Sequence, residues 1–187
     1  MAPKVKITKE DIIGASLKTV KEKGIDALNA RDVAAQLGCS TQPIFSNFSS
    51  MEELEEETLK AAYGIYLSYL DREANSEKYP KYKAFGMAYI RFAKEEKELF
   101  KTLFMRDRKD EDLSETEDFT SSVDYIVKST GIDRQRATLM HLEIWSAVHG
   151  IATMFATSFL SLSQELVENM LTDVYLGLKE RHTEERV

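Results

Sequence analysis

Residues 29–48 read NARDVAAQLGCSTQPIFSNF, and their spacing is that of two short helices joined by a tight turn. If Asn29 starts the first helix, Val33, Ala34 and Leu37 share one face, as a short buried helix requires. Gly38 ends it, because glycine adopts the left-handed conformation of a helix stop without steric cost. Ser40 or Thr41 is then placed to accept a bond from the free N–H groups of a second helix. Pro43 falls in its first turn, where a missing N–H does no harm. Ala34 is small where the helices approach, and Ile44 can insert between them. Ser40, Thr41, Gln42, Ser46 and Asn47 are left facing outward, the polar types that hydrogen-bond base edges and phosphates. Two helices with such a turn also occur in helical proteins that never touch DNA, so the flanks matter.

Upstream, ITKEDIIGASLKTVKEKGIDAL (7–28) predicts a bracing helix with Ile13, Leu17 and Val20 on one stripe and Lys23-Gly24 as its stop. Downstream, FSSMEELEEETLKAAYGIYLSYL (48–70) opens with Ser49 or Ser50 followed by Glu52 or Glu53, the pattern of a capping box on a long fourth helix. Through the ITKEDII opening, the GIDALNARDVAAQLGCS core, PIFSNF and SSMEEL, residues 7 to about 60 resemble the TetR family of bacterial transcriptional regulators. IWSAVHG (144–150) is similar to the Trp and His-Gly signature in the ligand-binding half of one branch of that family, the WHG type.

The resemblance implies a homodimer that binds palindromic double-stranded operator DNA as a repressor and lets go when a small-molecule effector enters the C-terminal half. It makes Arg31, Ser40, Thr41, Gln42, Pro43, Phe45, Ser46 and Asn47 the DNA-facing set. Gln42 is placed to pair bidentately with adenine, Thr41 and Pro43 to lie against bases or thymine methyls, and Ser40, Ser46 and Asn47 to hold phosphate. Two positions depart from the family pattern. Phe45 stands where many members have tyrosine, and Met51 where they have lysine, both phosphate contacts in the family.

The chain is acidic overall, at −7, yet its first fifty residues carry seven basic side chains against five acidic ones. A mildly basic end on an acidic body suits a DNA binder whose larger part never meets phosphate. Lys4 and Lys6 form an N-terminal arm able to follow the backbone or a minor groove. The single cysteine, Cys39, excludes an internal disulfide and reads as a small packing residue in the turn. No signal-peptide core and no run of about 18 apolar residues is present, so a cytoplasmic protein without a membrane partner is expected.

Beyond residue 50 the pattern is helix after helix. The expected fold is all-α, about nine helices: a three-helix helix-turn-helix domain (1–50), then a larger bundle for ligand binding and dimerisation (51–187), with helix four linking them. The polar run 106–118 reads as the longest loop, helix eight as 133–160, and helix nine as starting at Ser163 with Leu166, Met170, Val174 and Leu178 at four-residue spacing. Apolar surface on these last two helices, Ile151, Phe155, Phe159, Met170 and Val174, suits a four-helix dimer interface. Aromatic residues in the middle, Tyr63, Tyr66, Phe85, Tyr89, Phe104 and Trp145, with His149 as an orienting polar group, suit an apolar or aromatic effector. The competing classes are an interaction protein that keeps the scaffold without binding an operator, and a metal or acid-base site at His141, Glu143 and His149. The two histidines are two helical turns apart, and no HExxH or cysteine pair accompanies them. No enzyme activity, metal or cofactor is therefore expected.

Overall fold

A computed structural model describes residues 7–107 and 117–184. Among them there are nine α-helices and no strand: α1 (Lys9–Lys23), α2 (Ala30–Gln36), α3 (Gln42–Asn47), α4 (Met51–Ala74), α5 (Lys81–Glu95), α6 (Lys97–Phe104), α7 (Glu117–Thr130), α8 (Arg134–Ala156) and α9 (Gln164–Thr183), with a 3-10 turn at Ile25–Ala27. No helix among these residues is long and apolar enough to cross a membrane. Lys4, Lys6 and positions 108–116 of the expected loop lie outside the described residues. Helix α7 starts at Glu117, inside the polar run 106–118 read as a loop.

The chain forms two compact units, Met1–Ser68 with Glu96–Arg106, and Tyr69–Glu95 with Asp107–Val187. In the first, Ile12, Val33, Ala34, Ile44, Phe48 and Leu54 make a fully buried cluster, with Ile13, Leu37, Cys39 and Met51 packed at its edge. The bracing helix therefore presents Ile12, Ala15, Ser16, Thr19 and Val20 inward, and Ile13 and Leu17 are only half-buried. Its inward stripe thus differs from the expected one, and its start is fixed by Thr8. The Thr8 hydroxyl accepts the Asp11 N–H at 3.1 Å while the Asp11 carboxylate accepts the Thr8 N–H at 2.9 Å. Helix α6 closes this unit against α1. Leu99, Phe100 and Leu103 are buried, and Lys21 reaches Glu96 at 2.8 Å.

In the second unit α8 is central, packed by α5, α7 and α9. Gly86 lies where α5 meets two neighbours: a Cβ there would stand 3.3 Å from Val148 and 3.5 Å from Leu171. The end of α4 is held by a buried Glu73 paired with Arg91, and by the Tyr69 hydroxyl donating to Glu95 at 2.9 Å. Asp133 and Ser163 cap α8 and α9, each side chain accepting a backbone N–H of its own first turn.

Helix α8 stops at Ala156, not at residue 160. Ser158 takes a left-handed conformation (φ 57°), its N–H bonds the Phe155 carbonyl at 3.1 Å, and the Phe159 N–H bonds the Met154 carbonyl at 2.9 Å. That is a Schellman stop. Phe155 and Phe159, four apart in sequence, consequently do not share a helical face. Phe155 is 6% exposed and Phe159 74%. In α9 the inward line is Val167 and Leu171, while Leu166 is exposed and Met170, Val174 and Leu178 are half-buried. Four-residue spacing drifts by about 40° per turn against a 3.6-residue helix, so a stripe read at that spacing leaves the core.

Candidate functional site

The helix-turn-helix is built by two backbone devices. Asn29 caps α2, its side-chain oxygen accepting the N–H groups of Arg31 at 3.1 Å and Asp32 at 3.0 Å. At the other end Gly38 is left-handed (φ 63°), its N–H bonding the Ala35 carbonyl at 3.2 Å and that of Cys39 the Ala34 carbonyl at 3.0 Å. The turn delivers the chain to α3. There Thr41 occupies the cap position without a side-chain bond, and its carbonyl receives the N–H groups of Ile44 and Phe45 at 3.1 and 3.3 Å. The hydroxyl cap expected of Ser40 or Thr41 is absent, because Thr41 is already helical (φ −72°, ψ −11°) and its side chain cannot reach back to the first turn.

With Ile44 and Phe48 buried, the opposite side of α3 is presented outward: Gln42 and Ser46 are exposed, and Phe45 is 53% exposed. Ser40 and Arg31 are exposed beside them; Thr41, Pro43 and Asn47 are half-buried. The eight DNA-facing candidates are thus all on or next to the helix-turn-helix. They are not equally ready to bond. The Ser46 hydroxyl donates to the Gln42 carbonyl at 2.8 Å and the Asn47 amide to the Pro43 carbonyl at 2.7 Å, so both are partly engaged within α3. Gln42 and Arg31 make no side-chain bond with any described residue and keep their full donor sets.

Met51 is packed at the edge of the cluster beneath the helix-turn-helix, and the first exposed residues after it in α4 are Glu52, Glu55 and Glu56. Glu53 is locked to Ser49, whose N–H and hydroxyl it accepts at 2.7 and 2.6 Å; these bonds hold its carboxyl below the usual range. Most lysines of this unit are also paired: Lys9 with Glu53, Lys21 with Glu96, Lys23 with Asp32 and Lys60 with Glu57.

The second unit contains a cavity of about 430 Å³, walled mainly by Tyr82, Lys83, Tyr125, Val148, Leu171 and Tyr175. Its volume lies in the range of small-molecule sites, and its wall mixes apolar side chains with three tyrosines, Thr172 and Lys83. Tyr82 and Tyr125 are parallel, 5.5 Å between ring centres and 5° apart. The Tyr82 hydroxyl is 2.8 Å from His141 Nδ1. Burial raises the Tyr82 phenol above its ordinary value, with Tyr175 adding less, and lowers His141. Burial thus favours the neutral form of both partners in this hydrogen bond.

None of the seven residues expected at an effector site lines this cavity. Tyr63, Tyr66 and Phe104 gather in the first unit, Tyr66 edge-on to Phe104 at 5.0 Å. Tyr89, His149 and Trp145 gather in the second, the Tyr89 hydroxyl 2.9 Å from His149 Nδ1 and Trp145 stacked on His149 at 5.2 Å; Phe85 is half-buried. Trp145 is 41% exposed, on the outer face of α8. Tyr82, Lys83, Tyr125, Thr172 and Tyr175 were not singled out by sequence. Of the interface candidates, Ile151 and Phe155 are buried by their own chain, Met170 and Val174 half-buried, and Phe159 exposed. Glu143 accepts bonds from Arg181 at 3.0 Å and pairs with His182 at 2.7 Å, and no group of three metal-ligating side chains occurs among the described residues.

Residues 12–58 match the profile described as bacterial regulatory proteins, tetR family, and residues 82–174 the profile described as tetracyclin repressor-like, C-terminal domain. No curated protein matches by sequence. Among solved structures the chain is similar to a TetR family protein from Vibrio parahaemolyticus, at 18% identity and TM-score 0.63, covering 90% of this chain and 97% of that one. It is also similar to a protein of unknown function from Rhodococcus sp. RHA1, at 19% identity and TM-score 0.66, covering 97% and 98%. At these identities the likeness concerns the fold.

Proposed function

The chain belongs to the TetR family of transcriptional regulators, and on that premise we propose that it is a ligand-responsive repressor that binds a palindromic operator as a homodimer. The observation that carries the proposal is α3, a helix fastened by Ile44 and Phe48 on one side while Gln42 and Phe45 stand free on the other. Such a helix fits a major groove, where the glutamine amide pairs with adenine and the phenyl ring meets a thymine methyl. The domains are proposed as 1–50 for operator reading and 51–187 for effector binding and dimerisation. The WHG branch is proposed on IWSAVHG alone.

For the dimer, the supporting observation is an unequal spread of exposed apolar side chains. Of the eleven large exposed ones among the described residues, seven lie between Leu139 and Leu176. Leu139, Leu142 and Trp145 are exposed at three-residue spacing on α8, where Gly150 is open; Leu166 and Leu176 are exposed on α9, where Gly177 is open. These exposed residues, rather than the buried Ile151 and Phe155, are the surface available to a second copy. The effector is proposed to occupy the cavity among α5, α7, α8 and α9 and to favour a conformation that no longer fits two half-sites about 34 Å apart.

Selection of bound sequences from a random DNA pool tests the proposal. A two-fold symmetric site should be enriched; no enrichment would leave a scaffold that reads no DNA. On the selected site, Gln42→Ala should relax preference at one base pair per half-site at a cost of about 1–3 kcal/mol each, with the melting curve unchanged. Selectivity that survives the substitution removes Gln42 from base reading. Affinity should fall with added salt, and Arg31→Ala should lower the slope of log K against log salt by about 2 for the dimer, one phosphate contact per protomer. An unaltered slope would show that Arg31 touches no phosphate.

A further inference from the structure

The wall of the cavity described above contains five polar side chains, Tyr82, Lys83, Tyr125, Thr172 and Tyr175, and no carboxylate. Lys83 carries the only formal charge among them. Its ammonium donates to the Glu168 backbone carbonyl at 2.8 Å and to the Thr172 hydroxyl oxygen at 2.7 Å, both neutral acceptors, and forms no ion pair with any described residue. The carboxylate of Glu168, the residue whose carbonyl Lys83 bonds, is committed elsewhere: it accepts from Lys78 at 2.8 Å, Tyr79 at 2.5 Å and Gln164 at 2.9 Å, bonds that lower its pKa to about 2.

An ammonium has three N–H groups, and two are used. Besides these two acceptors the ammonium faces only the Tyr79 ring, at 5.5 Å. A half-buried cation with a third N–H bonded to no oxygen and no counter-ion among the described residues is complementary to an anion that arrives with the ligand. Tyr125 and Tyr175 add two hydroxyls that bond to no described residue. Tyr82 contributes no opposing charge, since burial disfavours the charged forms of both Tyr82 and its partner His141. One positive charge balances one negative charge, which favours a carboxylate over a phosphate dianion. The parallel Tyr82 and Tyr125 rings, with Tyr175 6.1 Å from Tyr82, favour a flat apolar body.

We infer that the cavity takes an aromatic monocarboxylate, its ring among the three tyrosines and its carboxylate on Lys83. This rests on the proposal that the cavity is the effector site. The probes are 4-biphenylcarboxylate and its neutral near-isostere 4-biphenylcarboxamide, titrated by calorimetry into the full chain without DNA. The acid should bind at least tenfold more tightly than the amide. Lys83→Met should abolish that preference while leaving amide affinity within threefold, and Lys83→Arg should restore it. If Lys83→Met does not fold, the wild-type comparison and Lys83→Arg decide alone.

Equal binding of acid and amide, binding of neither, or a preference that survives Lys83→Met would each overturn the inference. Adding the selected operator separates this from the wider proposal. Release by the amide as readily as by the acid sinks the acid and keeps ligand response. Lys83-dependent binding of the acid without release of DNA keeps the site and sinks ligand response.

Discussion

Leu142→Glu is expected to convert the protein to monomers and to lower operator affinity by a factor of about 10²–10⁴, the advantage that linking two half-site readers confers. Leu142 is exposed on α8, so a carboxylate there meets water in the free chain and leaves the fold intact. In a dimer it would be buried opposite its own copy, without a partner. Sedimentation and operator titration measure the two effects, and a variant that remains a dimer with unchanged affinity would move the interface elsewhere. Phe155→Glu makes the useful contrast. That side chain is enclosed by its own chain, so its substitution should lower the melting temperature rather than dissociate a folded dimer.

Ile44→Ala is expected to destabilise the first unit by about 2–5 kcal/mol, because Ile44 is fully enclosed in the cluster with Ile12, Val33 and Phe48. In a unit of this size the melting temperature should drop by on the order of 10 °C or more. Operator binding should be lost near the new midpoint, while ligand affinity at the cavity, measured below it, should be unaffected. Retention of wild-type melting behaviour would mean that Ile44 does not anchor the recognition helix.

The helix-turn-helix was legible because its determinants are local and chemically distinctive. Asn29 can cap, Gly38 can turn left-handed, and Pro43 can occupy a first turn, whatever the rest of the chain does. The end of α8 uses the same stop with Ser158 in place of glycine. Serine gives no warning of a left-handed backbone, and the apolar Phe159 and Leu160 seemed to prolong the helix. The cavity was hidden for a different reason. Its wall combines residues from α5, α7, α8 and α9, brought together only by packing, and aromatic richness alone pointed to Tyr63, Tyr66 and Phe104, which associate with one another instead. Lys83 had no signature as a ligand group, since half-buried and solvated lysines look alike in a sequence. Arg31 and Gln42 were legible as outward positions, but their freedom from intramolecular bonds became apparent only with the neighbours in place.

The closure of the first unit by Glu96–Arg106 has a consequence for how this protein is made and rearranged. Its N-terminal sixty-eight residues contain every part of the DNA-reading motif, yet the partners of α1 at Leu99, Phe100 and Leu103 are translated only after α5. At a synthesis rate of about 5–20 residues per second, a nascent chain waits some seconds between the appearance of the motif and the segment that completes its packing. A gene fusion cut after α4 would therefore carry a motif without its last wall. Grafting this DNA reader onto another protein requires two excisions, not one.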